Sequence, residues 1–407
     1  MAQSTEAGAA ETLSRSGVTR DADPESVGRD TDGTKAVPPL FQPFAVRSVT
    51  FKNRIVVTPM CQYCADEGHI TPWHMAHHGR FALGGVGGAV VEATGITRDG
   101  RITPGCLGIW QDSHIEGLKA VTRLYHDQGT PVGIQIGHAG RKGSAAVPLE
   151  GARPLVETVP DQAWQTVAPS AIPLTADWPT PRALESAEIE ALLAEFGHAA
   201  ARAVAAGFDF IEVHGAHGYL IHSFFSPLSN HRSDAWGGDL AGRMRFAVEA
   251  VKAVRRVVPS DMPVFYRTSA VDSEDGSVTI EDTVALAKAL KAQGVDVLDC
   301  SAGGITGASG RAKAPPAPGY LVPYAHTVRA DADMPTMAVG LILEPEQAQR
   351  VVTDGSADLV ALGRELIANP NFAYHAAIAL GHPAPHTVLP ESYAFFLSRR
   401  HIGKKTG

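Results

Sequence analysis

The run Val213-His214-Gly215-Ala216-His217-Gly218-Tyr219 places two imidazoles and a phenol close together in the chain. In an extended strand, residues three apart point to opposite faces, so His214 and His217 meet one ligand only where the backbone turns. Gly215 and Gly218 make such a turn accessible. Converging imidazoles can donate hydrogen bonds to an oxygen that gains negative charge during a reaction. Tyr219 adds a phenolic proton. Taken alone, the pair also reads as a strand-end histidine beside a loop histidine. A third reading is a metal pair, for which the 17 histidines, among them Trp73-His74-Met75-Ala76-His77-His78, supply partners. No H-E-x-x-H occurs and no carboxylate stands at a diagnostic spacing, so no metal is expected.

Other reactive side chains are scattered. Cys61-x-x-Cys64 invites a thioredoxin or zinc reading, but it opens no helix of a small βαβ unit and no second cysteine pair completes a zinc site. Cys61 reads better as a thiol at a site, and Cys64, Cys106 and Cys300 as small buried residues. Arg267 ends the apolar run Pro263-Val264-Phe265-Tyr266, where a charge needs a salt bridge, an anion or an electron-rich ligand. Gly303-Gly304, Gly340 and Gly363-Arg364 each follow an apolar run and together fit one phosphorylated ligand.

The elements that must position these groups show in the alternation of short β-branched runs with longer Ala/Leu-rich stretches, the pattern of repeated βα units. Eight strands are predicted: Arg54 to Pro59, Gly88 to Thr94, Pro131 to Ile136, Phe208 to His214, Pro263 to Thr268, Val295 to Cys300, Pro335 to Val339 and Ala357 to Leu362. Runs such as Asp358-Leu359-Val360-Ala361-Leu362 suit strands buried on both faces. Helices are expected from Ser186, as the capping residue, to the stop at Gly207, and from Ile280 to Gln293 before Gly294. A doubly wound sheet competes, but no G-x-G-x-x-G follows a strand and no P-loop occurs. The expected fold is α/β, a (β/α)8 TIM barrel with a long insertion after strand three. That insertion, Gly137 to Glu185, would lie on the C-terminal face and could roof a site. Polar residues then end the strands: Thr58-Pro59-Met60-Cys61-Gln62-Tyr63, Glu92-Ala93-Thr94, Gln135-Ile136-Gly137-His138, His214, Arg267, Asp299-Cys300-Ser301, Gly340 and Gly363-Arg364.

The chain has 407 residues, 44% hydrophobic and 19% charged, with a formal charge of −8 and no basic stripe, which argues against nucleic acid. The apolar runs are too short and broken to span a membrane. Four cysteines point to a reducing compartment, and the cytoplasm is expected. Residues 1–37 are polar and small, and read as a disordered tail without secretory or transit character. The barrel is expected over 38–380 and a C-terminal extension over 381–407, its last five residues, Gly403 to Gly407, frayed.

Together these residues resemble the Old Yellow Enzyme family of flavin reductases, in particular its bacterial xenobiotic reductase-like branch with a cysteine near the flavin. The resemblance runs from Leu40 to about Asn371. It rests on Lys52-Asn53-Arg54-Ile55-Val56, Pro59-Met60-Cys61-Gln62-Tyr63, His138-Ala139-Gly140-Arg141-Lys142, His214-Gly-Ala-His217-Gly-Tyr219-Leu220, Ser226-Pro227-Leu228-Ser229-Asn230-His231-Arg232 and Gly363-Arg364-Glu365. It implies noncovalent FMN reduced by NADPH or NADH. Thr58, Pro59, Met60 and Ala93 would line the flavin, Gln135 would meet its pyrimidine edge, and Arg267 would face N1. Gly340, Gly363 and Arg364 would hold the phosphate. Cys61 would tune the flavin, Tyr63 would touch substrate, and Lys142 is an active-site cation or a surface charge.

The resemblance further implies that His214 and His217 grip the oxygen of an enone, enal, maleimide or nitro compound while Tyr219 protonates carbon. A homodimer or homotetramer is expected, in which Arg399 or Arg400 of Tyr393-Ala-Phe395-Phe396-Leu-Ser-Arg399-Arg400 completes a neighbouring subunit's site. Two other classes stay open on the residues alone. One is a metal-dependent hydrolase or lyase using His74, His77, His214 and His217. The other is a redox sensor switching through Cys61 and Cys64.

Overall fold

The computed structural model describes residues 36–272, 274–306 and 317–400. The greater part of the expected N-terminal tail, residues 1–35, and the expected frayed end, Gly403 to Gly407, lie outside the described residues. Eight parallel strands close into a barrel: β1 (Ile55–Val57), β2 (Gly88–Gly95), β3 (Val132–Gly137), β4 (Phe210–Gly215), β5 (Val264–Ser269), β6 (Val297–Ser301), β7 (Thr336–Ala338) and β8 (Leu359–Leu362). Neighbours in sequence are neighbours around the ring, and β8 closes on β1 through Val360 opposite Ile55. Helices α1 (Pro72–Ala82), α2 (His114–His126), α3 (Ser186–Ala205), α4 (Leu240–Arg255), α5 (Ile280–Ala292), α6 (Val322–Asp331), α7 (Pro345–Thr353) and α8 (Phe372–Ala379) follow the strands in turn. No described helix is long and apolar enough to cross a membrane.

Apart from half-buried Ala93, every residue of the eight strands is buried, which is why the strands read as continuous apolar runs. Alternate residues face inward and build layers. The lowest layer is apolar: Val56, Val90, Phe210, Phe265, Val297, Met337 and Leu359 pack with Phe51, which reaches in from a hairpin of Phe44–Val46 and Val49–Phe51. Phe210 and Phe265 rings lie 4.6 Å apart. Two residues further along each strand, the next layer holds Gln135, Glu212, Arg267 and Asp299, and the rim beyond it holds His214, Ser269 and Ser301. A second, larger apolar cluster fills the space between strands and helices.

All eight expected strands form, several starting one or two residues later than the apolar pattern suggested. Pro131, Pro263 and Pro335 have no N–H to give a ladder. Their carbonyls instead accept from Ala89, Ile211 and Leu298 at the mouth of the barrel. The cap of α3 is Glu185 and not Ser186: the Glu185 N–H donates to Glu188 Oε2 at 2.9 Å, and Arg182 holds that carboxylate in place. Gly207 and Gly294 end α3 and α5 at φ +85° and +90°.

Residues 137–185 form short turns, a helix at Leu155–Thr158 and a parallel strand pair, Val167–Ala168 with Arg182–Ala183. Side chains of Trp164 and Arg141 are among those that tie the segment to the C-terminal face. Trp164 Nε1 donates to Asp99 O after β2. Arg141 donates to Ile172 and Pro173 carbonyls within the segment and to Ile305 O after β6.

Candidate active site

Strand β4 carries His214 to the rim, and the turn after it brings His217 and Tyr219 around the same point. The His214 ring lies 5.2 Å from that of His217 and 5.0 Å from that of Tyr219, edge to face in both cases. His214 Nδ1 accepts the Ala216 N–H at 3.2 Å, so the proton of the neutral ring sits on Nε2, a donor free for a ligand. His217 Nε2 pairs with Ser301 Oγ at 2.7 Å. Burial, and after it the Arg267 charge, holds both imidazoles well below the usual histidine range, so they are uncharged near neutrality. Burial raises the Tyr219 phenol and keeps its proton on.

His217 adopts φ +60°, a left-handed conformation that an ordinary side chain disfavours and that surrounding contacts must hold. Its N–H donates to Ser269 Oγ at 2.9 Å, and Ser269 Oγ donates onward to Gly303 O. Its carbonyl accepts from Lys142 Nζ at 2.8 Å, and the same ammonium reaches Gly304 O at 3.1 Å. The next N–H, of Gly218, donates to His222 Nδ1 at 2.9 Å, and His222 Nε2 faces Asp272 Oδ2 at 3.2 Å with both side chains fully buried. Lys142 also lies 5.3 Å above the Tyr219 ring. Burial, and next the neighbouring Arg141, lower its pKa to about 8.

The segment after β1 supplies the opposite wall. The Gln62 N–H donates to Glu92 Oε2 at 2.9 Å, and Glu92 sits in a register shift of β2 between Val91 and Thr94. His74 Nε2 lies 3.5 Å from the other Glu92 oxygen. Tyr63, at φ +56°, lies beside Cys61. Burial, then the Glu92 charge, push the Cys61 thiol well up, so it is not a thiolate near neutrality. Cys61 and Cys64 are both free thiols, and Cys64 Sγ donates to Gln62 O.

Below the rim, Arg267 Nη1 donates to Thr58 Oγ1 at 3.0 Å and Nε lies 3.2 Å from Asp299 Oδ2. Gln135 Nε2 donates to Glu212 Oε1 at 2.8 Å. Beside this group a cavity of about 220 Å³ opens between the ends of β1, β6, β7 and β8, lined by Thr58, Met60, Ser301, Gly340, Gly363 and Arg364 among others. Gly340 has φ +114°, and a Cβ there would lie 2.8 Å from Leu321 Cγ. A Cβ on Gly363 would lie 2.9 Å from Thr58 Cγ2. Backbone therefore lines this cavity at two positions where a side chain would clash with Leu321 or Thr58.

Residues 39–381 match the model of the NADH:flavin oxidoreductase / NADH oxidase family. The chain belongs to this family. It is 44% identical over 351 residues to the NADPH dehydrogenase of Bacillus subtilis, covering 86% of this chain and 97% of that protein. Over 344 residues it is 45% identical to the NADPH dehydrogenase of Geobacillus thermodenitrificans, covering 84% and 94%. Among solved structures, morphinone reductase superposes with a TM-score of 0.71 at 27% identity, covering 90% of this chain and 99% of that one. The Old Yellow Enzyme homologue of Zymomonas mobilis does so at 0.69 and 28%, covering 85% and 94%. The expectations of family, barrel and enzyme class hold, and with them FMN as cofactor and a nicotinamide as reductant. The residues present fit FMN: a backbone-lined cavity with the Arg364 cation in its lining suits a phosphate, and the buried Arg267 guanidinium, held by Asp299 and by Thr58 of the same lining, stands beside it.

The structure brings Thr58, Met60, Cys61, Tyr63, Ala93, Gln135, His214, His217, Tyr219, Arg267, Gly340, Gly363 and Arg364 to the C-terminal face. Pro59 lies on the same segment. Lys142 is there too, but its ammonium is spent on two backbone carbonyls. Arg399 and Arg400 do not join this site within the chain. They follow a helix at Glu391–Leu397 whose base, Glu391, lines a groove with Lys52 and Asn53 at the opposite, N-terminal end of β1. Arg399 stacks on its own Phe395. Among the described residues no three His, Cys, Asp or Glu side chains gather as metal ligands: His74 turns to Thr71 and Glu92, and His78 to Tyr125. Reasoning from sequence placed Glu92, Asp299 and Ser301 at strand ends without giving them roles, and missed Glu212, Ser269, His222 and Asp272. Glu212 and Asp299 carried a signal, being lone acids inside apolar strand runs.

Proposed function

We propose that the chain is an NADPH dehydrogenase of the ene-reductase type. Its substrates are α,β-unsaturated carbonyl or nitro compounds, such as enones, enals and maleimides. The observation that carries this reading is the convergence of two uncharged imidazoles and a protonated phenol on one point at the barrel rim. Bound FMN supplies the hydride, taken from the nicotinamide and passed on from N5.

His214, through Nε2–H, and His217 donate to the substrate's carbonyl or nitro oxygen and polarise the conjugated bond. As neutral donors they stabilise developing negative charge without neutralising the oxygen beforehand. Tyr219 delivers its proton to the α carbon. Tyr63 borders the substrate, and Cys61 borders the flavin as a thiol. Thr58, Pro59, Met60 and Ala93 line the cofactor. Gln135 and Arg267 meet its pyrimidine end, and Gly340, Gly363 and Arg364 hold its phosphate. The exposed Tyr393, Phe395 and Phe396 beside Arg399 and Arg400 support docking on another copy of the chain in a dimer or tetramer, where one arginine enters the neighbour's pocket.

The purified protein is then yellow, loses its flavin absorbance on anaerobic addition of NADPH, and regains it on addition of a cyclic enone. A flavin that NADPH bleaches but no enone, enal, maleimide or nitroalkene restores contradicts the reading.

A further inference from the structure

The barrel interior holds a charge problem. Glu212 and Asp299 are both fully buried, and Arg267 is the cation that faces them. Gln135 from β3, Arg267 from β5 and Asp299 from β6 are the polar and charged groups that act on Glu212. The residues two beyond Met337 and Leu359, Val339 just past β7 and Ala361 on β8, carry no charge. Arg267 is committed: Nε lies against Asp299 and Nη1 donates to Thr58. Glu212 receives one hydrogen bond, from the Gln135 amide, and its Oε2 has no partner among the described residues. An ionised carboxylate so poorly solvated would cost several kcal/mol, whereas a carboxylic acid needs far less.

We infer that Glu212 is a positioning residue that stays a carboxylic acid in the folded enzyme, its carbonyl oxygen fixing the Gln135 amide and its proton leaving Asp299 as the one carboxylate that Arg267 must balance. Two carboxylates against one guanidinium would leave this layer net negative directly beneath the flavin's pyrimidine end. With Glu212 protonated, Asp299 and Arg267 balance, and Gln135 is locked with its Nε2 inward and its Oε1 outward. Burial, followed by the Asp299 charge, pushes Glu212 up to about 8, in keeping with this state. The inference rests on the reading that Gln135 and Arg267 meet the flavin.

The test has two parts, both on FMN-loaded enzyme. Infrared spectroscopy with 13C-labelled glutamate reports protonated glutamate carboxyls. A band present at pH 7 in wild type, lost in Glu212→Gln and titrating near pH 8 is expected. Absence of any such band in wild type overturns the proposal, whether or not the variant folds. The FMN dissociation constant is then followed across pH 8. Wild type is expected to weaken about tenfold as Glu212 ionises, Glu212→Gln to lack that step, and Glu212→Leu to bind FMN weakly throughout. A Glu212→Gln enzyme that folds but binds FMN more than tenfold weaker at pH 7 shows that the carboxylate is required and refutes the proposal. Failure of the underlying reading looks different: Gln135→Leu would leave FMN affinity unchanged while the acid band persists.

Discussion

Replacing Lys142 with methionine separates a cation that holds the backbone from one that binds substrate. The ammonium donates to His217 O and Gly304 O. Hydrogen bonds to charged groups contribute about 1.5–3 kcal/mol each, or about 3–6 for the pair. Burial opposes this: lowering the group from 10.5 to about 8 corresponds to about 3.4 kcal/mol against the charged form. The net loss of stability in Lys142→Met is therefore roughly 0–3 kcal/mol. At roughly 2 °C per kcal/mol for a chain of this size, the melting temperature falls by no more than about 6 °C. The functional effect is larger, because the strained His217 loses its carbonyl anchor. Misplacing a reacting group by an ångström costs about 100-fold, and losing an oxyanion donor costs about 100- to 1,000-fold. Rapid-mixing kinetics should show reoxidation of the flavin by a saturating enone slowed about 10- to 100-fold, with NADPH-driven bleaching and FMN content unchanged. Reoxidation at the wild-type rate, or a loss confined to KM, would refute the backbone role.

Two further outcomes follow from the same structure. Gly340→Ala must adopt φ +114° and meet Leu321, costing about 1–3 kcal/mol in strain and a similar amount in overpacking; the flavin-to-protein ratio after purification should fall while far-UV circular dichroism is retained. His77, His78, His114, His138, His214, His217 and His382 are all lowered by burial, so in the acid range the unfolded chain binds protons that the folded chain refuses. Glu92 and Glu212, raised by burial, act in the opposite sense. The histidines outnumber these carboxyls, so unfolding takes up protons between roughly pH 4.5 and 6.5 and stability drops as pH falls through that window. Urea midpoints that stay level or rise there would contradict this balance.

The barrel was legible because its strands are buried on both faces, which forces near-continuous apolar runs. The rim residues were legible for a related reason: polar side chains that end such runs have nowhere to go except the C-terminal face. What the sequence hid are contacts between distant segments. Lys142 stands 75 residues from His217 and 162 from Gly304, and its charge alone does not say that both partners are carbonyls. The left-handed conformation of His217 has no local signature beyond the glycine that follows. Glu185 rather than Ser186 caps α3 because Arg182 and Glu188 meet there, a choice that propensity, which favours serine, reverses. Arg399 and Arg400 show the same limit, since a basic aromatic tail carries no information about which end of the barrel it leaves from.

The central claim is that His214 and His217 hold the substrate oxygen while Tyr219 supplies the proton. Tyr219→Phe keeps the ring against His214 and beneath Lys142 and removes one hydroxyl. Measuring the two half-reactions separately tests the claim most directly. Flavin reduction by NADPH should proceed at the wild-type rate, while reoxidation by an enone slows by about 100- to 10,000-fold, the range for loss of a positioned general acid. Equal slowing of both half-reactions, or no slowing of reoxidation, would contradict the account.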